Sequence, residues 1–195
     1  MYSIPTSIMI KDKQFNIRNK GDFRMVLDCF VALGDSDMDK TERVMTALII
    51  FYEDINSLED FELFPDIETA IQEMFRFFNC GQEHCPGANT NYKLIDWEKD
   101  EQLICSAVNK VAGKEIRLEP YVHWWTFMGW YNGVGESSLA TVVTIRNKMA
   151  NDKQLEKYER EFKRDNPQYF MWDSRTVEMQ EADKLAKELW NSNKK

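Results

Sequence analysis

The segment YVHWWTFMGWY, residues 121–131, is the most aromatic stretch of the chain, and the interpretation of the fold starts from it. On a helix this segment presents two neighbouring aromatic faces, with Trp124, Phe127 and Tyr131 on one and Tyr121, Trp125 and Met128 on the other. Helices with so wide an aromatic surface are usually central ones that are contacted from several sides. Trp and Tyr are also over-represented in binding hot spots, so part of this surface could contact a partner protein.

We assign the first face and the adjacent His123 to the core, because Trp124 lies in the longer apolar stripe. The second face is the candidate partner-binding surface. We therefore expect alanine at Trp124 to destabilise the fold by ~3–5 kcal/mol. Alanine at Trp125 should leave stability nearly intact and weaken association with a partner.

Apolar residues at three- and four-residue spacing predict further helices around this segment. The predicted helices lie at about residues 22–34, 41–55, 66–78, 96–113, 120–131 and 137–149. Strand-like alternation is confined to Ser7–Ile10 and Gln14–Ile17, which a short polar turn can join into a hairpin. The fold class predicted is mainly α, a helical domain with a small N-terminal β-hairpin and charged C-terminal helices.

The helix starts have side chains that can cap them, and the spacing indicates which residues face inward. We predict Thr41, Asp66, Asp96 and either Ser137 or Ser138 as caps. The helix at 41–55 is the best candidate for the centre of the core. The inward-facing predictions elsewhere include Val31 in the first helix, Ile67 and Phe75 in the third, and Val111 in the fourth.

The chain changes character after residue 150, where apolar positions become sparse and Lys, Glu and Arg dominate. A charged helix is predicted at residues 152–164, with spacings that permit ion pairs within it. Pro167 separates it from a last amphipathic stretch at 176–190. We therefore divide the chain into a helical core domain at 1–150 and a charged helical extension at 151–195.

The charge distribution argues against several classes of partner. Residues 1–139 carry 13 basic and 23 acidic side chains, and the remainder carries 12 and 10. Nucleic-acid binding needs clustered basic residues, so it is not expected. The opening residues resemble neither a secretory leader nor a transit peptide, and no stretch approaches the ~20 apolar residues that span a bilayer. We expect neither secretion nor membrane insertion, and free thiols in a reducing compartment.

Cys80, His84 and Cys85 are the weak candidates for a metal site, because zinc favours thiolate and imidazole ligands. Their spacing does not match a paired zinc knuckle, and a fourth ligand would have to come from a distant residue such as Cys105 or His123. A plain loop with free thiols is the simpler interpretation. Cysteine catalysis would need a positioned histidine and an orienting carboxylate, which the sequence does not identify. We expect no catalytic residues and no cofactor.

Carboxylates cluster between Asp96 and Glu101. In the first turn of a helix, negative charge interacts favourably with the amide dipoles, so helix capping explains this cluster without any chemistry.

The motifs IDWEKD at 95–100, YVHWWTF at 121–127 and Ile145-Arg146, with the charged helix that follows, resemble the bacteriophage gp-fifteen family of tailed phages. The resemblance covers about residues 92–170, and the His-Trp-Trp motif is its specific part. It implies a tail-module protein in the cytoplasm of the host cell, similar to tail assembly chaperones. The implied partners are the tape measure protein and the tail tube protein, with a possible homo-oligomer.

Two alternatives remain beside a chaperone. One is a structural virion component, such as a tail-completion or connector-type protein that stays in the particle. The other is an enzyme or zinc protein that uses the loop at residues 80–85.

Overall fold

The computed structural model describes residues 3–83 and 92–171. Within these residues the fold is mainly α-helical with one small antiparallel sheet near the N-terminus, so the predicted fold class is confirmed. Contacts divide the chain into two compact units. The first unit comprises Met1–Pro86 and Ile104–Val134, and the second comprises Gly87–Leu103 and Gly135–Lys195. The proposed boundary at residue 150 stays a prediction, and the helix predicted at 176–190 lies outside the described residues.

The N-terminal hairpin consists of β1, Ser7–Ile10, and β2, Lys13–Asn16. The two strands pair with Ile8 opposite Phe15 and Ile10 opposite Lys13. Ile8, Ile10 and Phe15 are buried, because alternate side chains of a strand point to the same face. The predicted hairpin is present, with its second strand one residue earlier than expected.

Helices α1, Phe23–Leu33, and α2, Lys40–Phe51, form the most extensive helix pair of the described chain. Asp22 caps α1. The predicted cap of α2 at Thr41 is wrong, because the Asp39 carboxylate accepts from the amides of Thr41 and Glu42 in a capping box. Val31, expected to face inward, is 43% exposed.

The central position predicted for the second helix agrees with the burial of α2, where Ala47, Leu48 and Phe51 are fully enclosed. Its last turn is closed from outside the helix, since the Arg18 guanidinium donates to the carbonyl oxygens of Ile49 and Ile50. Such side-chain donors satisfy carbonyls that a helix end leaves without an internal partner.

Helix α3, Ile67–Phe78, begins after Asp66, which caps it as predicted. Ile67 and Phe75 were expected inside but are 37% and 38% exposed, whereas Phe77 is buried. The first unit has a densely aromatic core in which rings contact one another edge to face or at a tilt. Its members include Phe15, Phe51, Tyr52, Phe64, Phe77 and Phe78.

The remaining helices are α4, Glu101–Ala112, α5, Trp124–Asn132, α6, Ser138–Ala150, and α7, Lys157–Asp165. Ser137 caps α6, as one of the two predicted alternatives. Val111, predicted to face inward on α4, is 41% exposed. None of the helices within the described residues is long and apolar enough to cross a membrane.

The second unit is organised around a buried ion pair. The Arg146 guanidinium donates to both carboxylate oxygens of Asp100 and to the carbonyl oxygens of Leu94 and Tyr169. The two paired side chains are 4% and 1% exposed. Asp100 belongs to the carboxylate cluster that was attributed to helix capping. Asp96 accepts from the amides of Glu98 and Lys99 in a turn that precedes α4, and α4 begins only at Glu101, so the predicted cap at Asp96 is wrong for this helix. The capping interpretation is also wrong for Asp100.

Helix α7 corresponds to the charged helix predicted at 152–164, whose ion pairs were expected within the helix, yet one of its carboxylates is enclosed and bonds to another helix. Glu159 is 1% exposed and accepts a hydrogen bond of 2.8 Å from Lys148 of α6. This hydrogen bond is the main cause that holds the pKa of Glu159 below its usual value. The sequence pattern does not show this contact, because Lys148 lies on another helix.

Candidate functional site

Helix α5, which contains most of the aromatic segment at 121–131, begins later in the chain than the sequence predicts. Asp22 caps α1 through the amide of Arg24, and its second oxygen accepts from the Val122 amide at 2.9 Å. The Phe23 amide in turn donates to the Val122 carbonyl. These bonds hold Val122 and His123 in an extended conformation, so α5 starts at Trp124 and not near Pro120.

His123 is the cap of α5 and is 2% exposed. Its Nδ1 accepts from the Trp125 amide at 3.0 Å, and its Nε2 lies 2.9 Å from the Pro5 carbonyl oxygen. An amide can only donate, so Nδ1 carries no proton and Nε2 is the protonated nitrogen. Burial lowers the pKa of His123, which keeps this neutral tautomer in place.

The adjacent tryptophans both close the end of α3. The Trp124 Nε1 donates to the Phe78 carbonyl and the Trp125 Nε1 donates to the Phe77 carbonyl, each at 2.9 Å. A helix leaves its last carbonyls without internal partners, and the two indoles donate to two of them, although the Phe77 carbonyl also accepts from the Cys80 amide. The His-Trp-Trp motif therefore joins the start of one helix to the end of another.

Gly21 makes this junction possible. Its φ is +77°, and a Cβ at this position would lie 2.8 Å from the Phe77 ring and 3.1 Å from the His123 Nε2. The left-handed conformation and the close approach both favour glycine. Sequence reasoning assigned Gly21 only to the start of a helix and gave no sign of this contact.

The residues assigned to the core motif lie close together. His123, Trp124 and Phe127 are buried, and Trp124 and Phe127 stack at 5.5 Å between ring centroids. Tyr131 is partly exposed and stacks on Phe127 at 6.5 Å. A second stacked pair, Phe23 with Phe127 at 4.7 Å, connects the motif to α1.

The three candidate partner-binding residues do not share one face. Tyr121 precedes α5, is 43% exposed and donates its hydroxyl to the Lys20 carbonyl. Trp125 and Met128 are both partly exposed and line two different clefts. The predicted grouping assumed a helix from Pro120, and the later start of α5 separates Tyr121 from the other two.

The cleft beside Trp125 is the candidate binding site, which we call the Trp125 groove. Its apolar part combines Trp125, Phe77 and the exposed Met9, and its polar rim contains Glu73 and Arg76. Its complete lining is Pro5, Ser7, Ile8, Met9, Glu73, Arg76, Phe77, Gly81 and Trp125. Trp125 is held in it by the bond to Phe77 and by Gly81, where a Cβ would lie 3.1 Å from the indole. Part of a rigidly placed indole is thus exposed in the groove.

Of the three residues of the weak metal candidate, Cys80 lies within the described residues. Cys80 is half-buried with a φ of +55°, and burial raises the pKa of its thiol. His84 and Cys85 lie outside the described residues. No group of three metal-binding side chains occurs within residues 3–83 and 92–171. Both ring nitrogens of His123, one suggested distant ligand, are engaged in the bonds described above.

Comparison with protein families gives a match that covers most of the chain. A family model described as "Bacteriophage Gp15 protein" matches residues 2–170. Neither curated proteins nor solved structures give a match.

Proposed function

The chain belongs to the bacteriophage Gp15 protein family, which indicates a structural or tail-related phage protein, and on this premise we propose that it is a chaperone-like factor of tail assembly. In this proposal it acts in the host cytoplasm by binding the tape measure protein, the tail tube protein or both. It works by binding and not by catalysis.

The observation that carries the proposal is the Trp125 groove. A chaperone must hold apolar segments of its client without burying them irreversibly, and a groove with an aromatic wall and a polar rim suits that task. Trp125 resembles a binding anchor, because it is large, partly exposed and fixed in orientation before any partner arrives. Pre-organisation of this kind lowers the entropy cost of association.

Two reactive side chains of the first unit, those of Cys29 and His123, support a non-catalytic role. Cys29 is completely buried, and burial raises the pKa of its thiol far above neutrality. Both ring nitrogens of His123 are engaged in structural hydrogen bonds. The acidic balance of residues 1–139 also disfavours contact with DNA in an infected cell.

Co-expression with each proposed partner tests the assignment. Met9 is 55% exposed inside the groove, and Leu118 is 83% exposed on the same unit but does not line it. Met9→Lys places a charge in the groove that a bound partner would have to cover, and removing this charge from water is unfavourable. Recovery of the partner should fall roughly tenfold. Leu118→Lys is the matched control and should leave recovery unchanged.

Two results would contradict the proposal. One is that neither the tape measure protein nor the tail tube protein is recovered with the wild-type chain. The other is abundant recovery of this chain from purified virions by mass spectrometry, which would favour a structural component of the particle.

A further inference from the structure

The outer edge of β1 has hydrogen-bonding capacity that the described fold does not use. A two-residue turn, Lys11 and Asp12, joins the strands, so Ile10 and Lys13 form a bonded pair. The Ile17 amide donates to the Thr6 carbonyl at 2.9 Å, which fixes the same alternation at the other end. The residues that bond across the hairpin are therefore Ile8 and Ile10 of β1 and Thr6, which directly precedes it.

Ser7 and Met9 consequently direct their backbone N–H and C=O groups away from β2. Within residues 3–83 and 92–171, these four groups have no hydrogen-bond partner. Their spacing is that of alternate residues along one strand, which is the spacing that a further strand requires. A strand edge of this kind is a template for an added chain.

This edge opens into the Trp125 groove. Ser7, Ile8 and Met9 all line it, although successive side chains of a strand point to opposite faces. A cleft lined by three consecutive residues of β1 follows the strand from Ser7 to Met9. Its volume is about 330 Å³, and Phe77 and Trp125 also line it.

We propose that the edge of β1 takes up an extended segment of a partner protein as a third strand, with apolar side chains at alternate positions facing Trp125 and Phe77. This deepens the proposed function, on which it rests for the existence of a protein partner. The partner's backbone supplies acceptors and donors to Ser7 and Met9, and its side chains fill the groove. A helical ligand could not satisfy these groups, because it bonds its own backbone internally.

The placement of the edge favours a flexible segment over a second copy of this chain. Trp125, Gly81 and α3 stand beside the strand, so the edge lies inside a cleft. The edge of a second copy would be flanked by the same elements. The α3 helices and tryptophans of both copies would then have to be accommodated before the two edges reached the 4.7–4.9 Å spacing of paired strands, a distance that holds for sheets generally. An unstructured segment of a larger protein can enter.

The test uses overlapping 15-residue synthetic peptides that cover the phage proteins encoded beside this chain. Each peptide is titrated into the ¹⁵N-labelled full-length protein. We expect the amides of Ser7 and Met9 to become protected from hydrogen exchange at least tenfold when a peptide binds, as for a newly formed ladder bond. The peptide should give strand-type contacts to both residues.

Two substitutions separate backbone from side chain. Met9→Pro removes the amide that faces the groove and spares the bonds to β2, so the fold should persist. Affinity for the peptide should fall roughly tenfold, the effect expected from the loss of one hydrogen bond to the added strand. Met9→Ala keeps the amide and should bind several-fold more tightly than Met9→Pro. Ile10→Pro, which removes a bond to β2, is the control for loss of the hairpin.

The outcomes distinguish this inference from the proposed function. If the tape measure or tail tube protein co-purifies but the amides of Ser7 and Met9 stay unprotected, strand addition is wrong and the chaperone role stands. If a peptide from another phage protein adds at this edge, strand addition stands and the proposed clients are wrong. Binding of no peptide, or protection of these amides by self-association alone, would overturn the inference.

Discussion

Replacement of the two tryptophans by phenylalanine isolates the contribution of their indole N–H groups to stability. The Phe78 carbonyl is buried, and Trp124 is its donor among the described residues. The Phe77 carbonyl accepts from Trp125 and also from the Cys80 amide at 3.0 Å. Loss of the Trp124 donor thus leaves an unpaired carbonyl, whereas loss of the Trp125 donor does not.

These contacts set the expected magnitudes. Trp124→Phe should lower the free energy of unfolding by about 1–3 kcal/mol, the cost of an unsatisfied buried group, with a further loss from reduced packing. Trp125→Phe should cost only about 0.5–1.5 kcal/mol, the net value of one hydrogen bond. Trp130→Phe is the control on the same helix, with an expected change below about 0.5 kcal/mol.

Urea unfolding, monitored by circular dichroism, measures the free energy of unfolding of all three variants. The values are comparable when the variants share the same m value, the slope of that free energy against urea concentration. Hydrogen exchange of the last amides of α3 gives a local readout and should accelerate first in Trp124→Phe. If Trp124→Phe costs no more than Trp130→Phe, the indole donors do not stabilise the end of α3 and the reasoning is refuted.

The same structure changes the expectation for alanine at Trp125. The sequence led us to expect nearly intact stability, but Trp125 is half-buried, hydrogen-bonded and packed on Phe77 at 5.9 Å between ring centroids. Trp125→Ala should therefore destabilise the fold by about 1–3 kcal/mol, less than the ~3–5 kcal/mol for Trp124→Ala. A binding test at this position consequently needs a stability control.

Three further predictions follow from the described contacts. The pKa of His123 in the folded protein lies below its unfolded value of about 6.5, so the unfolded chain binds more protons than the folded protein as the pH falls through that value. The free energy of unfolding should therefore decrease from pH 7 to pH 5. This decrease should be smaller in His123→Asn, which lacks the titrating group. Gly21→Ala should lower the free energy of unfolding in urea more than Gly113→Ala does. Both glycines have positive φ, where alanine is strained by about 1–3 kcal/mol. Of these two positions, only Gly21 would also place the new Cβ within 4 Å of neighbouring side chains. Arg146→Met should lower the free energy of unfolding by roughly 3–5 kcal/mol, since the Asp100 carboxylate would stay buried without its partner; a loss below about 1 kcal/mol in thermal or urea melts would contradict this account.

Local patterns predicted the elements of the fold well. The hairpin, the helix caps at Asp66 and Ser137 and the helix ends near Gly34 and Gly113 all depend on residues within a few positions of one another. Such interactions act in the same way whatever the rest of the chain does. The His-Trp-Trp motif, the specific part of the family resemblance, was likewise identified from the sequence alone.

The inward faces of the helices were predicted less well. Phe75 and Phe77 are two positions apart on α3, and periodicity favoured the one that the structure exposes. A pattern identifies an apolar stripe, but which side of it is covered depends on the elements that pack there. The hairpin and α5 both contact α3, and neither contact is visible in the sequence of that helix.

The sequence by itself determined a mainly helical chain with an N-terminal hairpin, an aromatic centre and an acidic first part, because composition and spacing act locally. Tertiary structure alone decided the start of α5, the partners of the two indoles and the burial of Asp100. The bonds from Asp22 to Val122 and from Arg146 to Asp100 join residues far apart in the chain. A buried polar group must find a partner wherever the fold provides one, and that partner is unknown until the elements pack.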